Sequence, residues 1–446
     1  MAGLGDSLAR ICSADWRELV DAPVRLDLHR IVRTAFVDTA ACVLAGRSEA
    51  PTRIALQWAT QRFAASPDAS LLFGDQRLGS GGAALVNAVA GHALDYDDVA
   101  LAGHPSVVLV PALWAEHERS GVGGFDLVQA YAKGYAVWGE LQRRQRSSLH
   151  GRGWHPSAVF GVVAAAAAVS ALRGLTREQS AHAIGIAASL AGGVIANFGS
   201  MTKPLHAGLA AEGGITAAEL AQAGLTASPD ALDGKAGLLN ALAGADNVDT
   251  RSPVPADMLS LLLRVRPGIK KYPACYAAHR VIDGVLDLAR EHGVAARDVA
   301  CVDAFISETT AGVLRHHAPA TLDEARFSLE FAVASALVHG ALGVAEVSEL
   351  ALADPRVREL MPLVHTHTVQ TSCPIEPSFA LTDRVTLTLR SGQALDSGPI
   401  RFARGHAELP LDEAQLRDKL ESCAGGDRQL AAGVLARIDA ALATDR

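Results

Sequence analysis

Three histidines of the chain stand where a helix is predicted to begin or end, or in a loop broken by proline. They are His104, His155 and His279, and the first two are each followed directly by a proline. An imidazole titrates close to neutral pH, so histidine is well suited to proton transfer under physiological conditions. At any one of these positions a structural histidine is the alternative. Three of them at such positions favour a catalytic function.

Lys203 lies where a helix is predicted to begin, because Pro204 is of the type favoured at the first helical position. The helix dipole disfavours a cation there by about 0.3–1 kcal/mol. Placing Lys203 and His206 at such an end therefore predicts a positive field for a bound anion, most simply a carboxylate. Ser200 and Met201 precede the same helix and are predicted to contact the substrate. A solvated surface lysine is the alternative.

An acidic run follows a helix predicted over 84–95. His92 and Asp95 are three residues apart and so share a helix face, and His104 follows in the same loop. Acidic side chains at a helix C-terminus oppose the dipole, which predicts a cation nearby, with Lys203 the expected partner of Asp95. One alternative is a metal ion bound by His92, Asp95 and His104, although no HExxH spacing supports it. The other alternative is that the acidic side chains are simply solvated.

The composition excludes several classes of protein. Of the 446 residues, 49% are hydrophobic and 20% charged, which is typical of a globular chain. The net charge of -8 predicts no nucleic-acid partner. Six scattered cysteines without a CxxC pair predict reduced thiols in the cytoplasm and no structural zinc site. The most apolar segment, 159–172, is shorter than the roughly 20 residues of a membrane span, so no membrane partner is expected. No secretory signal is visible in the sequence.

Helical periodicity dominates the chain, and the pattern changes after Leu263. The later part is predicted to contain strands over 299–307, 366–371 and 385–390 and helices over 275–292 and 324–340. Helical pattern returns near residue 411. These observations predict a mainly α fold, in which an all-helical domain (residues 1–265 plus 400–446) carries an inserted smaller α+β lid domain (residues 266–399). The lid begins with a basic segment that is predicted to bind carboxylates through Lys270 and Lys271, beside Arg264 and Arg266.

Five ordered motifs resemble one known family. They are Gly91–Asp98, His104–Ser106, Gly153–Pro156, Met201–Gly208 and Lys271–Cys275, the last followed by His279. Together they are similar to the MmgE/PrpD family, which includes 2-methylcitrate dehydratase, cis-aconitate decarboxylase and iminodisuccinate epimerase. The resemblance covers nearly the whole chain. It implies a helical domain with a smaller α+β lid, activity without a metal or an organic cofactor, and a homodimer.

The resemblance also implies active-site roles for Asp95, His104, His155, Lys203 and His279. Two positions depart from the family pattern. Val99 stands where a hydroxyl side chain is usual, and the tyrosine expected upstream of Glu324 is absent from the segment 313–317. Both departures bear on which polycarboxylate is the substrate.

We therefore predict a cofactor-independent lyase that dehydrates or decarboxylates a citrate- or aconitate-like polycarboxylate by proton transfer beside a carboxylate. The alternative within the family is an epimerase of a dicarboxylate such as iminodisuccinate. A metal-dependent hydrolase at His92, Asp95 and His104 and a helical scaffold without activity come from other classes. Metal content and polycarboxylate binding distinguish these alternatives.

Overall fold

The computed structural model describes residues 3–374 and 379–443 of the chain. The fold consists of two compact units. The first unit contains the chain up to Ala93, the segment Asp97–Pro267, and the residues from Leu416 onwards. The second unit contains Gly268–Gln415 and the short segment Leu94–Tyr96.

The first unit is helical apart from one two-stranded hairpin, β1 (Ala69–Ser70) and β2 (Arg77–Leu78). Its helices before the second unit are α1 (Leu4–Ser13), α2 (Ala22–Gly46), α3 (Ala50–Arg62), α4 (Ser80–His92), α5 (Ser106–Ser120), α6 (Phe125–Arg143), α7 (Pro156–Val159), α8 (Gly161–Leu172), α9 (Arg177–Leu190), α10 (Thr202–Gln222), α11 (Leu238–Ala243) and α12 (Leu261–Arg264).

Helices α8 and α10 form the centre of the first unit, and small residues let them approach closely. The alanine run 164–168 in α8 is fully buried, and α10 packs against α4, α8 and α9. At Gly214 of α10, an added Cβ atom would stand 2.4 Å from the Cβ atom of Ala165. Since no side chain fits there, the alanine- and glycine-rich composition is what lets the middle of α10 pack closely against α8.

The turn between α8 and α9 follows the predicted stop and start signals. Gly174 adopts a left-handed conformation with φ +63°, which glycine allows at low cost. Thr176 then caps α9 by accepting a hydrogen bond from the Gln179 amide in a capping box.

The second unit is built on a four-stranded sheet with the order β4–β3–β5–β6. Strand β3 pairs parallel with β4 and antiparallel with β5, and β5 pairs antiparallel with β6. The strands are β3 (Val299–Ser307), β4 (Val364–Val369), β5 (Arg384–Leu389) and β6 (Ala394–Asp396). The helices of this unit are α13 (His279–His292), α14 (Glu308–Val313), α15 (Leu322–Ala325), α16 (Leu329–His339), α17 (Glu349–Ala353) and α18 (Pro355–Leu360).

The chain returns to the first unit through α19 (Glu413–Cys423) and α20 (Arg428–Leu442). Lys419 of α19 forms a buried ion pair with Asp38 of α2, with 2.6 Å between Nζ and Oδ1. Removing one partner of such a pair is costly, about 3–5 kcal/mol, because the other charge stays buried. This ion pair therefore fixes α19 against the helical core.

The mainly α fold with a smaller α+β part is confirmed, whereas some predicted boundaries are wrong. The helix predicted over 84–95 ends at His92, since Asp95 adopts a left-handed conformation with φ +52°. The helix predicted over 324–340 is broken between α15 and α16, because Ser328 caps α16 by accepting a hydrogen bond from the Phe331 amide.

Residues 400–415, which the sequence analysis assigns to the helical domain, form contacts within the second unit. The Ile269 amide donates to the Gly405 carbonyl, and Arg404 pairs with Asp283 and Asp287. The interpretation of the second unit as a lid stays a prediction. Among the described helices, none combines the length and the apolar character that crossing a bilayer requires.

Candidate active site

Imidazole rings from four parts of the first unit lie against one another. The ring centroids of His92 and His104 are 4.7 Å apart, those of His92 and His155 are 5.8 Å apart, and those of His104 and His155 are 6.5 Å apart. His206 extends the cluster, with its ring 5.3 Å from that of His155. These side chains come from the end of α4, the loop before α5, the residue before α7, and α10. The structure therefore gathers helix ends that are far apart in sequence.

Asp97 joins two of these rings. The two oxygens of its carboxylate lie 2.9 and 3.0 Å from Nδ1 of His92, and one of them lies 3.2 Å from Nδ1 of His104. Nδ1 of His104 also lies 2.8 Å from the carbonyl oxygen of Asp98. Because carboxylate and carbonyl oxygens only accept, each Nδ1 carries a proton. The Nε2 atoms of His92 and His104 are then the basic atoms of the two rings.

The loop between Asp97 and His104 is held in a strained conformation. Leu101 and Ala102 have φ values of +50° and +59°, which side chains other than glycine rarely adopt. The loop is fixed by a hydrogen bond from Trp138 Nε1 to the Leu101 carbonyl (3.2 Å) and by one from the His104 amide to Ser157 Oγ (3.1 Å). The surrounding helices thus determine the position of His104.

His155 is positioned by a second loop, and it forms a pair with His206. Its amide donates to the Gly193 carbonyl over 3.0 Å, and its Nδ1 lies 3.1 Å from Nδ1 of His206. An added Cβ at Gly193 would stand 2.5 Å from Cβ of Ala158, so only glycine lets this loop approach. In the pair, one Nδ1 donates its proton and the other accepts it.

Lys203 lies in the first turn of α10, as predicted, and only 5% of it is exposed. Its ammonium group lies 5.3 Å from the centre of the Phe198 ring, whose edge-to-face contact with His155 is 4.9 Å between centroids. The positive end of α10, the cation and the two imidazoles of His155 and His206 therefore face one region. This arrangement favours the binding of an anion.

Burial keeps three imidazoles of the cluster, those of His92, His155 and His206, neutral near pH 7. It lowers the pKa of His92 to about 4 even though Asp97 acts in the opposite direction, and it lowers the pKa of His155 well below its usual range, with His92 and Lys203 adding to the effect. Burial and Lys203 also lower the pKa of His206. Burial raises the pKa of Asp97, but the two imidazoles outweigh it and hold that pKa well below its usual range. The cluster thus contains one carboxylate anion, Asp97, and three neutral imidazoles.

Two ring nitrogens of the cluster have no hydrogen-bond partner within residues 3–374 and 379–443. They are Nε2 of His92 and Nε2 of His155, and both side chains are 1% exposed or less. A buried polar atom without a partner costs about 1–3 kcal/mol. Such atoms in stacked rings beside a lysine are typical of a site that a ligand completes.

Four of the predicted site residues belong to the second unit. Asp95 and Lys270 form a buried ion pair with 2.8 Å between Oδ2 and Nζ. The carbonyl of Lys271 accepts a hydrogen bond from Tyr96 over 3.0 Å. His279 is fully buried and donates from Nε2 to the Ala274 carbonyl over 3.2 Å. The expected pairing of Asp95 with Lys203 and the catalytic role of His279 stay predictions.

Two models of a known protein family match most of the chain. The N-terminal domain model of the MmgE/PrpD family matches residues 21–251, and its C-terminal domain model matches residues 272–438. The chain belongs to the MmgE/PrpD family. The cluster of His92, Asp97, His104, His155, Lys203 and His206 lies within the first of these two matches.

The relatives of this MmgE/PrpD protein include three cis-aconitate decarboxylases. The enzyme from Homo sapiens is 32% identical over 364 residues, which are 78% of this chain and 73% of that protein. The one from Mus musculus is 31% identical over 360 residues, 78% and 72% of the two chains. The one from Aspergillus terreus (strain NIH 2624 / FGSC A1156) is 28% identical over 230 residues, 49% and 47% of the two chains. The matches confirm the predicted family and an MmgE/PrpD-type lyase, and they do not favour the epimerase.

Two predicted substrate contacts have other surroundings in the structure. The hydroxyl of Ser200 donates to the Asn197 carbonyl over 2.8 Å and shapes the turn before α10. The side chain of Met201 is 49% exposed on an apolar face between α3 and α10. The roles of both residues in substrate binding stay predictions.

The sequence did not predict two members of the cluster and one neighbouring residue as site residues. His92 was considered only as a metal ligand with Asp95 and His104, and Asp97 only as one acid of a run. Phe198 had no assignment, although its ring contacts both His155 and Lys203. The signal for Asp97 was its position five residues after His92, which becomes a contact because the helix ends at His92.

Proposed function

We propose that this lyase decarboxylates cis-aconitate or a close analogue with the same three carboxylates. The observation that carries the proposal is the anion site at the start of α10, where Lys203 and the unsatisfied Nε2 atoms of His92 and His155 face one region. The relatives named as cis-aconitate decarboxylases support this substrate.

The chemistry needs a cation and a proton donor. When the bond between the CH₂ carbon and its carboxylate breaks, CO₂ leaves, and the electron pair of that bond forms a double bond from the CH₂ carbon to the central carbon. The former double bond is thereby lost, and its CH carbon, which bears a carboxylate, takes one proton. A fixed cation such as Lys203 stabilises the negative charge that spreads onto this carboxylate during the reaction.

A neutral imidazole becomes a proton donor through the substrate itself. A polyanion bound beside His155 favours its protonated form and so opposes the effect of burial on its pKa. This imidazole is neutral in the empty site and gains a proton as the substrate binds. We assign Lys203 as the carboxylate anchor and His104 and His155 as the groups that transfer the proton.

The test is an NMR experiment in D₂O with cis-aconitate, 2-methylcitrate and iminodisuccinate in separate reactions. We expect one CO₂ per cis-aconitate consumed and one deuterium at the saturated methylene of the product. The new terminal alkene carbon should carry none, because its hydrogens were those of the CH₂–COO⁻ arm. Loss of water from 2-methylcitrate would make the protein a dehydratase, and deuterium exchange into iminodisuccinate without net conversion would make it an epimerase.

We also propose that the protein acts as a homodimer in the cytoplasm. An apolar face on the first unit supports the dimer: Ile54 and Trp58 of α3 and Leu209 of α10 are exposed there beside Met201. All six cysteines lie in the described part of the chain and none forms a disulfide, as expected in the cytoplasm. Sedimentation equilibrium should give twice the chain mass, and Trp58→Glu should lower it. A single-chain mass at all protein concentrations would contradict the dimer.

A further inference from the structure

His92, Asp97 and His104 have the composition of a transition-metal site. They offer two imidazoles and one carboxylate, and their ligand atoms lie within 4.8 Å of one another. The distances from the Asp97 carboxylate to Nδ1 of His92 and of His104 are 2.9 and 3.2 Å. Zinc–ligand bonds of this kind are about 2.0–2.2 Å long, which separates the ligand atoms of a tetrahedral site by about 3.3 Å. The side chains are therefore close to the spacing that a metal ion requires.

The charges at these residues favour a cation. Asp97 is fully buried, and the two imidazoles are its side-chain partners. Each imidazole lies with its Nδ1 atom at hydrogen-bond distance from this carboxylate. A buried anion is costly unless it is neutralised, and a divalent ion between the three side chains would neutralise it.

The surroundings supply a fourth ligand and an entrance. The Asp98 carbonyl oxygen lies 2.8 Å from Nδ1 of His104, within reach of an ion bound to that nitrogen. The Asp98 carboxylate accepts hydrogen bonds from the amide and the hydroxyl of Ser106, which fixes the backbone at this position. The side chain of His104 is 14% exposed, so the group can be reached from solvent.

We propose that His92 Nδ1, the Asp97 carboxylate and His104 Nδ1 bind a divalent first-row transition metal, with Zn²⁺ as the preferred ion. Two imidazoles and one carboxylate form an N₂O ligand set that suits zinc. The ion is an inhibitor and not a cofactor, because it takes the nitrogens that now fix the two rings on Asp97.

Inhibition is expected because metal binding changes the tautomers of His92 and His104. This part of the proposal, unlike metal binding itself, rests on the proposed function. A metal bond at Nδ1 needs the lone pair of that nitrogen, so the ring proton moves to Nε2. No proton leaves the protein in the exchange. With Nε2 protonated, neither ring can accept a proton there, and His104 loses its basic atom.

The binding test uses Co²⁺ as a spectroscopic probe on the full chain after treatment with EDTA. We expect one Co²⁺ per chain, intense visible absorption of a low-coordinate site, and loss of that absorption when one equivalent of Zn²⁺ is added. Asp97→Asn and His92→Gln should each weaken Co²⁺ binding at least about 10-fold, as observed when metal-site partners are removed. The control is His292→Gln, which changes an exposed histidine at the end of α13 and should leave binding unchanged.

The activity test separates this proposal from the proposed function. We expect Zn²⁺ to abolish decarboxylation at one equivalent per chain and EDTA to restore it. Absence of the Co²⁺ spectrum in the unmodified protein, or equal binding by the variants and the control, would overturn the metal site and leave the decarboxylase intact. Stoichiometric binding without inhibition would keep the site and reject His104 as the proton-transfer group.

Discussion

Replacing Lys203 by alanine is expected to lower kcat/KM by about 10²-fold or more, as the loss of a fixed electrostatic stabiliser does in other enzymes. The ammonium group is buried at the positive end of α10, beside the Phe198 ring and close to His155. A cation at this end opposes the helix dipole, so its placement has no structural benefit from the helix. The cation and the positive end of the helix together favour the binding of an anion.

Circular dichroism should show that the Lys203→Ala variant keeps its fold, since the substitution removes an unfavourable charge–dipole interaction. Lys203→Arg should recover only part of the activity, because a planar guanidinium keeps the charge but not the shape of an ammonium group. Lys235→Ala, at an exposed lysine of the first unit, is the matched control and should have normal activity. Near-normal turnover of Lys203→Ala would reject this helix end as the anion site.

The sequence predicts the elements of this fold well where the local pattern is strong. Buried and partly exposed residues of β3 alternate over Val302–Ile306, and the predicted and observed bounds of the strand, Val299–Ser307, agree. The sequence likewise predicts the turn between α8 and α9, because the alanine run of α8 is followed by Gly174 and Thr176. Prediction fails where a capping side chain interrupts a continuous helical pattern, as Ser328 does between α15 and α16.

The same contrast holds for the candidate site. The sequence predicts a helix boundary at His155 and at Lys203, because each stands directly before a proline. The partner of His92 was not predicted, since periodicity places Asp95 on its helix face. The helix instead ends at His92, and the chain brings Asp97 to the imidazole. A contact that depends on where a helix stops cannot be read from spacing alone.

Asp97→Asn is expected to lower kcat by at least about 10²-fold while the fold is kept, because a comparable change in a catalytic triad leaves the geometry intact but produces the wrong tautomer. In the aspartate, Oδ2 lies 3.0 Å from Nδ1 of His92 and 3.2 Å from Nδ1 of His104, and Oδ1 lies 2.9 Å from Nδ1 of His92. An asparagine has an NH₂ group in place of one of these oxygens, and this group can only donate. A ring whose Nδ1 accepts from the NH₂ group must carry its proton on Nε2, and that base is lost.

The pH profile distinguishes this positioning role from a general loss of structure. The Asp97 anion opposes the lowering of the pKa of His92, so its removal lowers that pKa further below about 4. The proposed chemistry needs a protonated imidazole as its donor. A donor with a lower pKa loses its proton at lower pH, so the alkaline limb of kcat/KM should move to lower pH. Asp303→Asn makes the same chemical change at a surface pair, where Asp303 lies 2.7 Å from His367, and it should change neither kcat nor the profile. An Asp97→Asn variant with reduced kcat but an unshifted alkaline limb would show that Asp97 supports the fold and does not set the basicity of the imidazoles beside it.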